Sequence, residues 1–211
     1  MASRQAALTA AAALLDEAGF ARFTIDEGAR RTGVSKATIY KHWTGGFDLA
    51  VQAYGERVTD AVPVVVTGDV VADLSGQTSR LAAFYAGPHG QVVAQLLAAG
   101  AMQANGGEHL RERFFAPCRT DAAALIEQGK LNGQLRGDLD TDLAIDLLFG
   151  PIVFRLFNGA EPLDAASAAA SAQMALRAIV EDLTFGSSFS DRRHVVARPR
   201  SAAQITGRSV T

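Results

Sequence analysis

Residues 24 to 43, TIDEGARRTGVSKATIYKHW, constrain the fold of this chain more than any other stretch. Thr24 and Glu27 stand at the spacing of a capping box, in which each side chain bonds the other residue's backbone amide. Gly33 follows as a left-handed helix stop, and Ser35 is a good N-cap for a second helix. The segment therefore predicts two short helices joined by a tight glycine turn, the helix-turn-helix pattern.

The apolar residues of this segment predict which sides of the two helices are buried. In the second helix Ile39 and Trp43 lie four residues apart, so both can face a core. The opposite, polar side of that helix carries Lys36, Ala37, Tyr40 and Lys41. Residues 4 to 18 add an apolar stripe that ends at Gly19, which completes a small three-helix unit.

An ordered set of residues in this unit points to a known family. Its members are Leu14, Leu15, Asp16, Glu17, Ala18, Gly19, Phe20, Phe23, Thr24, Ala29, Arg30, Arg31, Thr32, Gly33, Val34, Ser35, Thr38, Ile39, Tyr40, Lys41, His42 and Trp43. With these residues, positions 4 to 54 resemble the DNA-binding domain of the TetR (tetracycline-repressor-like) family. The resemblance implies an all-α chain, with a three-helix N-terminal helix-turn-helix domain and about six further helices for ligand binding and dimerisation.

Two positions depart from the family pattern. Gly28 stands where the family usually has a large aliphatic residue, and a glycine inside a helix costs about 1 kcal/mol relative to alanine. Gly46 stands near a lysine that usually opens the fourth helix, which puts one phosphate contact in doubt. The amides of Gly45 and Gly46 could still meet a phosphate at that helix start.

The resemblance also implies which residues contact DNA. They are Thr24, Ser35, Lys36, Ala37, Thr38, Tyr40, Lys41 and His42. The two lysines can donate to guanine or to phosphate, a methyl of Ala37 or Thr38 can touch thymine, and the Tyr40 hydroxyl can donate to phosphate. Thr38 as a mere capping residue and His42 as a solvated side chain are the alternatives.

Composition is compatible with this interpretation. The net charge is −2, yet residues 22 to 43 hold five basic side chains against two acidic ones. We expect this basic segment to favour phosphates without dominating binding. The only cysteine, Cys118, excludes an internal disulfide, and the sequence predicts neither a signal peptide nor a membrane span. A cytoplasmic, nucleoid-associated protein is expected.

The remaining chain divides into a helical body and a tail. Residues 1–46 form the predicted DNA-binding domain, 47–186 an effector-binding and dimerisation domain, and 187–211 a disordered tail rich in serine and arginine. Helices are predicted over 47–62, 69–86, 88–104, 108–129, 141–157 and 163–185, with a kink expected at Pro117 and an interruption of the helix at Pro151. The tail could attract DNA weakly or be merely solvated.

Residues 143 to 157 are apolar on nearly every side, more than one packing partner needs. Together with the following alanine-rich helix, this stretch resembles the paired C-terminal helices that join two protomers in the family. The residues predicted for a homodimer interface are Leu147, Ile152, Phe154, Ala172 and Ile179. A helix buried wholly inside one protomer is the alternative.

In the family the middle helices enclose a small-molecule effector. The residues predicted to line such a pocket are Phe84, Tyr85, Gln95, Leu96, Met102, Phe115 and Cys118. Most are apolar and would serve equally as plain core, so a mostly apolar effector is expected. No cofactor and no metal site are predicted.

The favoured function is a dimeric repressor that a small molecule releases from double-stranded DNA with an inverted-repeat operator. Two alternatives remain: a helical interaction protein that has lost operator binding, and a ligand-independent DNA-binding regulator or activator. An enzyme is not expected, because the catalytic motifs G-x-S-x-G and H-E-x-x-H are absent from the sequence.

Overall fold

The computed structural model describes residues 2 to 159 and 163 to 180, and these residues are almost entirely helical. The helices are α1 (Ala2–Ala18), α2 (Ile25–Thr32), α3 (Lys36–His42), α4 (Gly46–Ala61), α5 (Val70–Ala86), α6 (Pro88–Met102), α7 (Gly106–His109), α8 (Ala116–Leu131), α9 (Thr141–Asn158) and α10 (Ala165–Ile179). A 3₁₀ turn, Phe20–Arg22, precedes α2, and a π-helical segment, Leu110–Phe115, joins α7 to α8. The predicted all-α fold is confirmed.

The first four helices share a small core. Leu8 and Ala11 of α1, Ile39 of α3, Trp43 at the end of α3 and Leu49 of α4 are all buried there. Because α1 and α4 cover the inner sides of α2 and α3, the outer side of α3 remains free.

The ends of α2 follow the sequence pattern, with one difference. The Thr24 hydroxyl accepts from the Glu27 amide at 3.3 Å, and Gly33 ends the helix at a φ of 68°. The Glu27 carboxylate, however, pairs with Arg30 and Arg31 instead of returning to the Thr24 amide. Two guanidinium groups within reach are stronger partners for a carboxylate than one backbone amide, so the capping box is only half formed.

The other helices build two further apolar clusters. One surrounds Tyr54 of α4, Leu96 of α6 and Phe114 of the π-helical segment. The second lies between α5, α8, α9 and α10, around Leu74 and Ile126. Both clusters contain residues of α5 and α9. These two helices therefore connect the two clusters within the body of the protein, which comprises α4 to α10.

Prolines and helix ends modify the predicted elements. Pro117 lies in the first turn of α8, directly after the π-helical segment, so the expected kink appears as a change of helix type. Pro151 lies inside α9 without ending it. α10 stops at Ile179, and the predicted continuation to 185 and the tail 187–211 lie outside the described residues. Within the described ranges, no helix is long and apolar enough to cross a bilayer.

Candidate nucleic-acid interface and ligand cavity

α3 is fixed along its buried side and at both of its ends. Ile39 and Trp43 are buried, and the Trp43 indole Nε1 donates to Gln52 Oε1 of α4 at 2.8 Å. At the other end the Ser35 hydroxyl accepts from the Thr38 amide at 3.1 Å. A short helix of this kind cannot hold its own geometry in water, so these contacts set the position of its outer side.

The outer side of α3 presents the side chains predicted to contact DNA. Tyr40 is 58% exposed. The other exposed members are Ser35, Lys36, Ala37, Lys41 and His42, whereas Thr38 is half-buried beside the Ser35 hydroxyl. Thr24 is exposed too, although its hydroxyl caps α2. We call the exposed residues Ser35, Lys36, Ala37, Tyr40, Lys41 and His42 the α3 surface.

Several basic residues near this surface already have acidic partners. Lys36 Nζ lies 2.7 Å from Asp26 Oδ1, and this hydrogen bond raises the pKa of Lys36. Arg31 pairs with Glu17 at 2.7 Å. Lys41 makes no ion pair with any residue that the structure describes. Lys41 is thus available to a phosphate at once, whereas Lys36 must exchange Asp26 for its new partner.

A polar network joins the end of α3 to the π-helical segment. Gln52 Oε1, which accepts from Trp43, also accepts from Arg113 Nη1 at 2.8 Å. Arg113 Nε lies 2.6 Å from Asp48 Oδ1, and Asp48 Oδ2 accepts from the Thr44 amide at 2.8 Å. Asp48 is only 1% exposed, so the Arg113 guanidinium balances a buried charge, and His109 Nδ1 lies 3.4 Å from the same carboxylate oxygen.

Gly55 brings α4 against the backbone of the same π-helical segment. A Cβ added at Gly55 would lie 2.7 Å from the Arg113 carbonyl oxygen and 3.1 Å from Phe114 Cα. No larger side chain fits without moving one of the two elements. A shift of the π-helical segment towards α4 would therefore move α4 as well.

On the far side of that segment lies a cavity of about 320 Å³. Its walls come from α4, the α4–α5 connection, α5, the π-helical segment, α8 and α9. The lining residues are Val58, Thr59, Val62, Val64, Gln77, Leu81, Tyr85, Phe114, Phe115, Cys118, Arg119, Asp121, Ala122, Ile145, Asp146, Phe149, Gly150 and Val153. Burial raises the pKa of the Cys118 thiol, which lies 3.7 Å from the Thr59 hydroxyl.

Tyr85, Phe115 and Cys118 line this cavity as predicted, but four other predicted residues lie elsewhere. Leu96 is enclosed in the core between α4 and α6. Gln95 accepts from the Phe20 amide at 2.7 Å, so it fastens α6 to the N-terminal turn. Met102 is 87% exposed at the end of α6. For these three residues the prediction fails because α6 turns away from the cavity.

Phe84 is the fourth residue outside the cavity. Its ring stacks on His89 with centroids 4.4 Å apart and an angle of 4° between the planes. His89 Nδ1 lies 3.0 Å from Asp16 Oδ1 of α1, and the Tyr54 hydroxyl donates to the same oxygen at 2.9 Å. Phe84 therefore supports a second contact between the N-terminal helices and the body.

The residues predicted for the dimer interface separate into two groups. Leu147 and Phe154 are exposed, with 67% of Phe154 accessible. Ile152, Ala172 and Ile179 are instead buried within the protomer, so the prediction is wrong for these three. Ile152 and Ile179 each belong to one of the two apolar clusters of the body. The exposed apolar residues of α9 and α10, here called the α9–α10 patch, are Leu143, Leu147, Phe154, Phe157 and Met174.

Comparison with known proteins identifies the family to which this chain belongs. The family model described as "Bacterial regulatory proteins, tetR family" matches residues 7–50, and "Tetracyclin repressor-like, C-terminal domain" matches residues 64–175. The chain belongs to the TetR family of transcriptional regulators. It is 40% identical over 154 residues to the uncharacterised HTH-type transcriptional regulator YdeS of Bacillus subtilis, spanning 73% of this chain and 78% of that protein.

Two other relatives support the same TetR assignment. The HTH-type transcriptional regulator AqdR of Rhodococcus erythropolis is 29% identical over 147 residues, or 70% of each chain. The crystal structure of the TetR family transcription regulator SCO0332 superposes with a TM-score of 0.78 at 31% identity, covering 86% of this chain and all of that one, 100%. Neither matching family model describes a catalytic domain.

The TetR resemblance in the sequence did not predict the polar network. Asp48, Gln52 and Arg113 each look like ordinary surface residues of amphipathic helices, and 61 positions separate Gln52 from Arg113. The lining residues Thr59, Arg119 and Val153 were missed for the same reason. Within the ranges that the structure describes, no group of three or more His, Cys, Asp or Glu side chains could hold a metal ion.

Proposed function

We propose that this TetR-family protein is a homodimeric transcriptional repressor that binds an inverted-repeat operator through α3 and is released by a small, mostly apolar molecule. The observation that carries the proposal is the α3 surface. Its polar residues are exposed while Ile39 and Trp43 anchor the same helix in the core. A rigid helix with one polar side is the element that enters a DNA major groove.

Each residue of this surface has a distinct chemical role in the proposal. Lys41 and the Tyr40 hydroxyl donate to phosphates, which positions the helix without reading sequence. Lys36 and Ala37, at the start of α3, approach base edges, where a lysine reads guanine and a methyl group reads thymine. Thr38 remains a capping residue as well, since its amide donates to Ser35.

Dimerisation is proposed through the α9–α10 patch. Five large apolar side chains exposed on two adjacent helices are unusual for a surface in contact with water. Pairing two copies about a two-fold axis would cover the patch and hold two α3 helices for successive major grooves, about 34–36 Å apart or a multiple of that spacing.

Release by an effector is proposed to act through the π-helical segment. Phe114 and Phe115 line the cavity, while the preceding residue, Arg113, holds Asp48 and Gln52 next to α3. π-helical turns are uncommon and are found at functional sites, and Gly55 leaves no slack between this segment and α4. A molecule that fills the cavity and displaces the two phenylalanines would therefore shift α4 and Trp43.

A gel shift with the DNA upstream of the protein's own gene tests operator binding. We expect a discrete complex whose affinity falls strongly in Lys41→Ala. Arg136→Ala is the control, because it also removes an exposed cation but from the loop after α8, beside Asp138. Equal binding by Lys41→Ala and the wild type would contradict the role given to α3.

Sedimentation tests the dimer separately. The double variant Leu147→Glu, Phe154→Glu places two charges in the α9–α10 patch and should yield a monomer at micromolar concentration. Leu131→Glu is the control, because Leu131 is an exposed leucine outside the patch. A wild type that sediments as a monomer would remove the dimer from the proposal.

A further inference from the structure

Tyr85 stands apart among the polar residues that line the cavity. Its side chain is buried, with 6% of the residue exposed. Its hydroxyl makes no hydrogen bond to any described residue. Protein atoms do not enclose this hydroxyl completely. The hydroxyl therefore borders open space, and Tyr85 lines both the cavity and a neighbouring cleft beside Pro88 and Leu156.

Its polar neighbours in the cavity are already occupied. The Thr59 hydroxyl donates to the Gly55 carbonyl at 3.0 Å. The Gln77 side chain donates to the Val62 carbonyl at 2.9 Å and accepts from Arg80 at 2.7 Å. Cys118 offers only a weakly polar thiol. Among the described lining residues, Tyr85 thus carries the side-chain hydroxyl that has no hydrogen-bond partner at all.

That hydroxyl stays protonated over the whole physiological range. Burial first, and then the nearby Cys118 and Tyr54 groups, raise the pKa of Tyr85 above its ordinary value. A phenol that keeps its proton donates one hydrogen bond to an acceptor on the ligand.

The charges at the cavity disfavour an anionic ligand. Asp121 and Asp146 both line the cavity, and Asp121 has no ion pair among the described residues. The one cation of the lining, Arg119, is held by Asp146 at 2.6 Å and by Asp142 at 2.9 Å. A carboxylate or phosphate would meet an excess of negative charge, and transferring it into an apolar cavity carries a further desolvation cost.

We propose that the effector is a neutral, mostly apolar molecule carrying a carbonyl or ether oxygen that accepts a hydrogen bond from the Tyr85 hydroxyl. This inference depends on the proposed function only in taking the cavity as the effector site. The apolar lining supplies most of the affinity. The single hydrogen bond supplies selectivity for the oxygen, worth about three- to tenfold in dissociation constant.

Displacement of a neutral fluorescent dye, N-phenyl-1-naphthylamine, from the full-length protein tests this inference. Three bicyclic competitors of similar size are compared: tetralin has no acceptor, 1-tetralone adds a carbonyl to the same skeleton, and the aromatic 1-naphthoate carries a negative charge. We expect 1-tetralone to bind about three- to tenfold more tightly than tetralin, and 1-naphthoate to bind most weakly. Equal affinities for tetralone and tetralin, or tightest binding by naphthoate, would overturn it.

Matched variants connect the result to Tyr85. Tyr85→Phe should abolish the advantage of tetralone over tetralin while leaving tetralin binding unchanged. Tyr40→Phe makes the same chemical change on the α3 surface and should preserve the advantage. Val153→Phe, which narrows the cavity, should weaken all three competitors. If the dye binds equally well to Val153→Phe, the cavity is not the ligand site, and both this inference and the effector part of the proposed function fail. If instead Val153→Phe blocks the dye but Tyr85→Phe changes nothing, only this inference fails.

Discussion

The N-terminal helices and the walls of the cavity use buried side chains in opposite ways. Around α3 the buried residues fill the space between the helices, and Trp43 even satisfies its indole N–H by donating to Gln52. Around the cavity the walls leave about 320 Å³ open, with a phenol that has no partner among the described residues. A filled core fixes the geometry of an exposed surface, whereas an unfilled one keeps the capacity to bind.

The two regions meet at a short polar connection. Arg113 contacts Asp48 and Gln52 on one side of the π-helical segment, and the next two residues along the chain line the cavity. We therefore expect the N-terminal helices to move as a rigid unit when the walls of the cavity move. Variants in each region test whether the two differ in packing and whether the polar connection links them.

The largest effect is expected for Trp43→Ala. Truncation of a fully packed aromatic side chain should cost about 3–5 kcal/mol in free energy of unfolding, whereas Val153→Ala, beside existing empty space, should cost less than about 1.5 kcal/mol. Urea denaturation of both variants measures the difference. Similar losses at the two positions would show that the two regions are packed alike.

Arg113→Met tests the connection. The change leaves the buried Asp48 carboxylate with fewer partners, so we expect a loss of about 1–3 kcal/mol in free energy of unfolding. It should also reduce the effect of a cavity ligand on operator affinity. Arg111→Met, an exposed neighbour in the same segment, is the control. Unchanged ligand sensitivity in Arg113→Met would place the coupling elsewhere, for example at Asp16 and His89.

The α3 surface offers two variants with effects of about three- to tenfold. Tyr40→Phe should weaken binding to all DNA sequences alike, because the hydroxyl donates to phosphate. Asp26→Asn should strengthen binding, because it frees Lys36 from a contact of 2.7 Å and removes a negative charge. Fluorescence anisotropy at fixed salt measures both. Weaker binding by Asp26→Asn would show that the ion pair positions Lys36 for DNA.

The last predictions concern two glycines, Gly28 inside α2 and Gly33 at its C-terminal end. Gly28→Ala should stabilise the protein by about 0.5–1 kcal/mol, because an added Cβ meets only Leu14 Cδ1, at 3.9 Å. Gly33→Ala should destabilise it by about 1–2 kcal/mol, because Gly33 has a φ of 68°. Thermal unfolding compares the pair. Destabilisation by Gly28→Ala would mean that this glycine serves a close approach.

The same contrast explains how far the sequence could predict the structure. Ser35, Ile39 and Trp43 were predictable because capping and four-residue spacing are local properties of a short helix. The cavity depends on which sides of distant helices meet. Gln95 and Met102 looked like pocket residues on an apolar helix, but the orientation of α6 sends one to the N-terminal turn and the other to the surface.

The C-terminal helices show the same limit. α9 is apolar all round, so periodicity could not decide between Ile152, which is buried, and Phe154, which is exposed two positions later. Tyr85 was predicted as a pocket residue, because an isolated polar group on an apolar helix can orient a ligand. Nothing in the sequence connects Asp48 to Arg113, since only the folded chain brings an acid and a base so far apart in sequence within 2.6 Å.

The most direct test of the central claim is selection of binding sites from a random DNA duplex library by the wild type and by the Tyr40→Phe, Lys41→Ala double variant. If an anchored α3 reads DNA in a two-fold dimer, the wild type enriches one inverted repeat, and the double variant binds that repeat at least about tenfold more weakly while unfolding at the same temperature. Enrichment of no symmetric sequence, or equal binding of the repeat by both proteins, would contradict the account.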